Sequence, residues 1–389
     1  MIHRNTSPTS VPGESAVRHV GAFISAAPSP ARALKPSTTV CQQIELLRSR
    51  GLEIGDEQAA RASLNRLGYY RFSGYAHALK VARAEGSHAA RHFKPGATFP
   101  LVIQLAEFDN ALRLLVLQGL ELIEIAVRAA VAELLSKLDV EAHRKRALLD
   151  GRFTTALAGH MSAHAEWLQR FDLLFARSKE DLVEHHRLHY SARMPVWAAL
   201  EILEFGLLSR LVAGLQHRDR RALARHFQVG HPGVLTSWLH TFNVTRNRAA
   251  HHARLWNRTS VVAPLLPAPS ESGDLAFLHV DEFARKRLFG TLCCMQSMIR
   301  VIAPRSEWHQ RLKALTGSFP ASPTLSLRSA GFPDDWEARL VEGLRCRSVS
   351  PRRPQPPMHR PRLRHPAEAR PSTPHEQTAD PLVGGVGDP

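Results

Sequence analysis

Apolar residues recur along most of this chain with the period of a helix, and short polar breaks separate the runs. Val40, Ile44, Leu46 and Leu47 follow Pro36-Ser37-Thr38-Thr39, a helix-start composition, and Gly51 closes the run. Residues 55–67 repeat the design: Asp56 offers an N-cap oxygen, and Ala59, Ala60, Leu64 and Leu67 fall on one side. The longest pattern spans Phe99 to Leu135. Leu105, Phe108, Leu112, Leu115, Leu122, Ala126 and Ala129 form one stripe, which Val116, Leu120, Ile123, Val127 and Val131 widen. So wide an apolar face predicts a central helix buried on more than one side.

Residues 160–190 predict a helix or a pair of helices. Pro195 then opens a mostly apolar helix through Ser209, and residues 217–226 are rich in Arg and His. The helix carrying Leu235, Trp238, Leu239 and Phe242 runs directly into the stretch from Thr245 to Arg258. Residues 259–275 break into Pro, Ser and Gly, and a last helix is expected from about Val280 to Val301. No period-two run of useful length occurs, so the expected class is all-α. Residues 1–34, rich in Ser, Thr, Pro and Ala, predict a disordered leader. Residues 345–389 predict a disordered Arg/Pro-rich tail, with eight arginines and one glutamate in 345–370. The folded domain is therefore expected at 35–344.

Composition adds a bias. Lys and Arg number 51 against 35 Asp and Glu, a net charge of +16, which favours RNA or DNA as partner over an acidic small molecule. A basic solubilising surface is the plainer alternative. Cys41, Cys293, Cys294 and Cys346 form no CxxC pair and no regular framework, so neither a zinc site nor a disulfide scaffold is indicated. No apolar run approaches the roughly 20 residues that span a bilayer. A protein of the cytoplasm with no membrane part is expected.

Candidate chemistry is concentrated in one place. Between Thr245 and Arg258 stand four arginines, two histidines and two asparagines, where the preceding residues read as an apolar helix. Were that helix to continue, Asn247 and His251, four apart, would share a face, with Arg246 one step round. A guanidinium can hold a phosphate at two points, and an imidazole can take or give a proton near neutrality. Together they suit RNA cleavage by its own 2′-hydroxyl, without a metal ion or cofactor. The alternative is a buried polar network in which Arg246 and His251 pair with Glu201 or Glu204.

Other features are open to two readings. Leu67 to Tyr75 holds three of the four tyrosines among glycines, which suits core or turn packing, with base stacking as a second use. The strip Arg113, Glu121, Glu124, Arg128 on the long helix would line a cleft or face solvent, with Glu124 and Arg128 spaced for an ion pair. His160, His164, His185, His186 and His189 lack any accompanying ligand pattern, so no metal site is expected.

The run Arg246-Asn247-Arg248-Ala249-Ala250-His251-His252-Ala253-Arg254-Leu255-Trp256-Asn257-Arg258 resembles the signature of the Abi-like proteins, the AbiD/AbiF type of phage abortive infection, within the wider HEPN superfamily. Further segments agree in the expected order. They are Lys35-Pro36 with Arg50-Gly51-Leu52, Leu67 to Tyr75, Glu107-Phe108-Asp109 with Leu112-Arg113, and Ile123-Glu124 with Arg128. Pro195-Val196-Trp197 with Glu201 and Phe205-Gly206, and then Gly331-Phe332-Pro333 with Trp336, complete the series. The likeness covers roughly residues 35–340.

The resemblance implies a helical bundle with a HEPN core at about 99–305 and a metal-independent endoribonuclease, often with two motif helices meeting across a homodimer. It implies Arg246 and His251 as the catalytic pair with Asn247 as their polar support. His252 fits the looser motif spacing, leaving open which histidine is the general base. Arg254, Asn257, Glu124 and Arg128 are expected as supporting or RNA-contacting residues. The implied role is a phage-defence or toxin-like effector acting on RNA. A noncatalytic RNA-binding module, held with a small RNA or an antitoxin partner, is the other reading.

Overall fold

A computed structural model describes residues 36–82 and 92–341 of the chain. The expected leader at 1–34 and tail at 345–389 lie outside the described residues. Among the described residues no strand forms, and backbone pairing between extended segments is limited to isolated bridges such as Glu53 with Thr98. The all-α expectation holds.

Three short helices lead in: α1 (Val40–Ser49), α2 (Glu57–Leu67) and α3 (Tyr69–Ala76). Thr39 caps α1 in a reciprocal box with Gln42, and the Asp56 carboxylate caps α2 through the Ala59 N–H at 3.1 Å. The Leu67–Tyr75 segment packs into the core, as a helix more than as a turn. Gly68 alone makes the turn, at φ 79°, and α3 then buries Phe72, Tyr75 and Ala76 while Tyr70 stays exposed.

The axis of the bundle is α4 (Phe99–Ser136), whose 38 residues span about 57 Å. Its buried positions surround the helix, as the wide stripe predicted, and α3, α8, α11, α13 and α14 pack on it. Gly119 marks a close approach to α14: Trp308 donates its indole N–H to the Leu115 carbonyl at 2.8 Å, leaving no room for a β-carbon at 119.

Beyond a short turn, α5 (Gly151–Thr154), come α6 (Ala163–Arg177) and α7 (Asp181–His189), the expected pair. The helix expected from Pro195 through Ser209 is two, α8 (Val196–Glu201) and α9 (Phe205–Gly214). Arg128 explains the break. Its guanidinium donates to the carbonyls of Leu200 at 2.9 Å and Leu203 at 3.1 Å, which a continuous helix would have used internally.

Next come α10 (His217–His226) and α11 (Pro232–Ala250), which packs on α4, α9 and α13. The single helix expected near 280–301 is also two, α12 (Glu282–Arg285) and α13 (Leu288–Ile302), parted where Arg287 takes an extended backbone. Two further helices, α14 (Trp308–Gly317) and α15 (Trp336–Val341), were not foreseen. No helix among the described residues is long and apolar enough to cross a membrane.

Candidate functional site

The Arg246–His251 motif sits at the end of α11. Pro232 starts that helix, and Trp238, Leu239 and Phe242 anchor it in the core. Thr245 and Ala249 are buried on the same inner side, which turns Arg246 and Asn247 outward.

The helix stops sooner than the sequence suggests. Ala250 is its last residue, and His251 is the C-cap. The His251 N–H still donates to the Asn247 carbonyl at 2.9 Å, so only the backbone keeps the helical relation between these two. His252 follows in the left-handed region, at φ 57°. The Ala253 N–H reaches back to the Arg248 carbonyl at 2.8 Å and the His252 N–H to Ala249 at 3.0 Å, the paired bonds of a Schellman ending. Glycine usually fills that left-handed position, so a histidine there carries backbone strain. Both histidine side chains are exposed.

Around this end the surface divides. Arg246, half-buried, opens onto a cleft of about 590 Å³ beside Glu124 and Arg128 of α4. Glu124 and Arg128 are paired at 2.9 Å and largely buried, so that part of the polar strip does line a cleft instead of facing solvent. The Nε and Nη2 donors of Arg128 go to Glu124 and to the Leu200 and Leu203 carbonyls between α8 and α9, which makes its observed work structural. Asn247 opens onto a different depression, between α6, α9 and α11, and His252 onto a third near Arg66, Arg71 and Glu107. Arg246 and Asn247 touch, guanidinium to amide oxygen at 3.5 Å, and the Asn247 amide donates to Asn243 at 3.4 Å.

Glu201 and Glu204 do not pair with the motif. Both are exposed, and Glu204 shares a depression with Asn247 without bonding it. The buried network that would have explained Arg246 and His251 away is not formed.

Two residues expected to support the chemistry are tied elsewhere. Arg254 donates to the Gly74 carbonyl, and burial lowers its pKa below the ordinary arginine value, with nearby Asp109 opposing. Asn257, itself at φ 54°, accepts from the Arg287 guanidinium at 3.3 Å, which fastens the motif loop to the start of α13.

What sequence reasoning missed is Asp109. This fully buried carboxylate on α4 accepts the backbone N–H groups of Leu255 at 3.1 Å and Trp256 at 2.7 Å. Its other oxygen accepts from the Tyr75 hydroxyl at 2.7 Å and from Arg113. Arg113 in turn donates to Tyr75 at 3.1 Å and to Asn110 at 2.9 Å. Arg113 is therefore buried with Asp109 and Tyr75, not part of a solvated strip. Burial raises the Asp109 carboxyl, opposed by these hydrogen bonds, and pushes the Tyr75 hydroxyl up to about 12. The signal was available: a carboxylate inside the apolar stripe between Phe108 and Leu112 demands buried donors.

Of the histidines of α6 and α7, His164 and His186 are buried and serve packing, while His185 and His189 are exposed. His164 donates to the His143 carbonyl at 2.9 Å and His186 to the Leu182 carbonyl at 2.7 Å.

The family model of the Abi-like proteins matches residues 62–257, just over half of the chain. The matched segment begins in α2, includes the whole of α4 and ends one residue after Trp256. Comparison with curated proteins and with solved structures gave no match.

Proposed function

The chain belongs to the Abi-like protein family, and from that footing we propose that it is a phage-defence effector that cuts RNA at the Arg246–His251 motif, within a HEPN-type core. The observation that carries the reading is the outward presentation of Arg246, Asn247 and His251 together at the end of α11. None of the three is consumed by an ion pair among the described residues.

The chemistry follows from the groups. His251 takes the proton of a ribose 2′-hydroxyl as its oxygen bonds to the adjacent phosphorus. Arg246 holds that phosphate and stabilises the charge gathering on its free oxygens, with Asn247 bracing the guanidinium. The bond to the 5′-oxygen then breaks, and that oxygen leaves with a proton drawn from water, while the proton taken up by His251 returns to solvent. The products are a 2′,3′-cyclic phosphate and a 5′-hydroxyl end.

A second copy completes the site in this reading. Arg246 faces the α4 cleft, whereas His251 stands beyond the helix end. Two motifs meeting across a homodimer would bring an arginine of one copy to a histidine of the other. The cleft beside Arg246 is flanked by Leu114 and Ile125, both more than half exposed, an apolar face suited to such a contact.

One observation favours the other reading, a noncatalytic RNA-binding module held with a small RNA or an antitoxin: Arg246, Asn247 and His252 open onto three separate depressions. The experiment that separates the readings is incubation of purified protein with total RNA and mapping of the cut ends. Cyclic phosphate ends made by the wild type but not by Arg246→Ala or His251→Ala support cleavage. RNA binding without cuts over a broad substrate range selects the module, and Ile125→Asp tests the dimer by sedimentation.

A further inference from the structure

Asn247 is the last rung of a polar ladder on α11. His240, Asn243 and Asn247 are spaced by three and four residues and share one face of the helix. That face forms one wall of a groove of about 470 Å³. Arg170 and Arg177 of α6 and Arg210 of α9 line the same groove, with Leu173 and Leu207 giving it apolar surface.

The charges are arranged as a phosphate track would need them. Arg170 and Arg177 lie seven residues apart, two helical turns, or about 10.5 Å along the axis. Both are exposed, and among the described residues neither has an ion-pair or hydrogen-bond partner. Arg210 is shared with Glu166 at 3.1 Å, and Glu204 contributes a carboxylate near the α9 start. Gly206 gives Asn243 its room, since a β-carbon there would stand 3.3 Å from the Asn243 amide nitrogen.

We infer that this groove binds a single-stranded stretch of the RNA next to the phosphate under attack. Arg170 and Arg177 hold backbone phosphates, the α11 ladder contacts sugar and base edges, and the apolar surface packs on base faces. The ladder leads to Arg246 through Asn247, which ties the track to the reacting phosphate. The inference rests on the reading that RNA is cut at the motif.

The test uses full-length His251→Ala protein, so that RNA is bound and not consumed, with a labelled mixed-sequence 12-nucleotide RNA as probe. Affinity is measured between 0.05 and 0.5 M salt, alone and with Arg170→Ala and Arg177→Ala added. Loss of two phosphate contacts lowers the slope of log affinity against log salt by about 1.4, at about 0.7 per contact on a single strand. Carried over the decade of salt below 1 M, that is about a 25-fold loss of affinity at 0.1 M. Because both arginines are exposed, the unfolding temperature should not move. Parent protein that binds RNA with an affinity and slope untouched by the double substitution overturns the groove and leaves the RNA reading standing. Parent protein that binds no RNA in a salt-dependent way overturns both. Competition by polyglutamate without any RNA binding would assign the groove to an acidic polypeptide and overturn the inference.

Discussion

Asp109 accepts the backbone N–H of Trp256 at 2.7 Å, so the central helix holds the chain that follows the motif by its main chain. With the Leu255 N–H and the Tyr75 hydroxyl on the same carboxylate, one buried charge joins α3, α4 and the motif loop. Asp109→Asn presents an amide N–H toward Arg113 or toward the two backbone donors, whichever way it turns. Breaking a buried pair in this way costs about 3–5 kcal/mol. The expected outcome is a large drop in denaturant midpoint, with faster hydrogen exchange at Leu255 and Trp256. A variant as stable as wild type would show that the loop is held by its apolar packing alone.

The strained position at His252 separates the two histidines. Its backbone is left-handed and its carbonyl accepts from Arg71 at 2.8 Å, and neither feature needs the imidazole. His252→Gly should raise stability by up to about 1 kcal/mol through relief of strain. It should leave RNA cleavage within a few-fold, while His251→Ala lowers it by roughly 10²–10⁴, the usual worth of a general base. Cleavage lost in folded His252→Gly would move the base to His252.

The helices were legible where an apolar stripe and a cap residue agreed. Thr39, Asp56 and Phe99 mark the starts of three elements almost to the residue, because capping and periodicity are local. The breaks were not legible, because tertiary groups cause them. Arg128 parts α8 from α9 by taking carbonyls more than seventy residues away, and no property of residues 195–209 announces it. The motif residues were legible by type and spacing. The premature stop of α11 was not, since Ala249, Ala250 and His251 carry no glycine or proline to end a helix. Asp109 could be read as anomalous, and Arg113 four residues on was a partner its spacing allows, but its main-chain donors lie nearly 150 residues on and could not be read.

Arg128 should behave as a structural residue. It lies four residues from Glu124 on α4, and both side chains are largely buried beside the cleft. Arg128→Ala removes the donor of the Leu203 carbonyl and of the Glu124 carboxylate and leaves the Leu200 carbonyl only its bond from the Leu203 N–H, at a cost of about 2–3 kcal/mol. The expected signature is a lower unfolding temperature together with increased hydrogen exchange across residues 200–206. Unchanged stability with a selective loss of RNA binding would make Arg128 an RNA contact instead.

Acid sensitivity should trace to His143. Its ring is fully buried against Trp167 and Phe171, and neither ring nitrogen has a hydrogen-bond partner. Burial, reinforced by neighbouring Arg144, lowers its pKa from 6.5 to about 4. The folded state therefore keeps the ring neutral where the unfolded chain takes up a proton. Stability is lost as pH falls from about 6.5 toward about 4, and the loss is complete below that. A shift of that size corresponds to about 3 kcal/mol. His143→Phe removes the titrating group and keeps an aromatic ring in the cluster. The difference in unfolding free energy between variant and wild type should grow in the variant's favour across this window and be flat above pH 7. Urea melts at pH 7.5, 6, 5 and 4 measure it, and a difference that does not change with pH would place the acid sensitivity elsewhere.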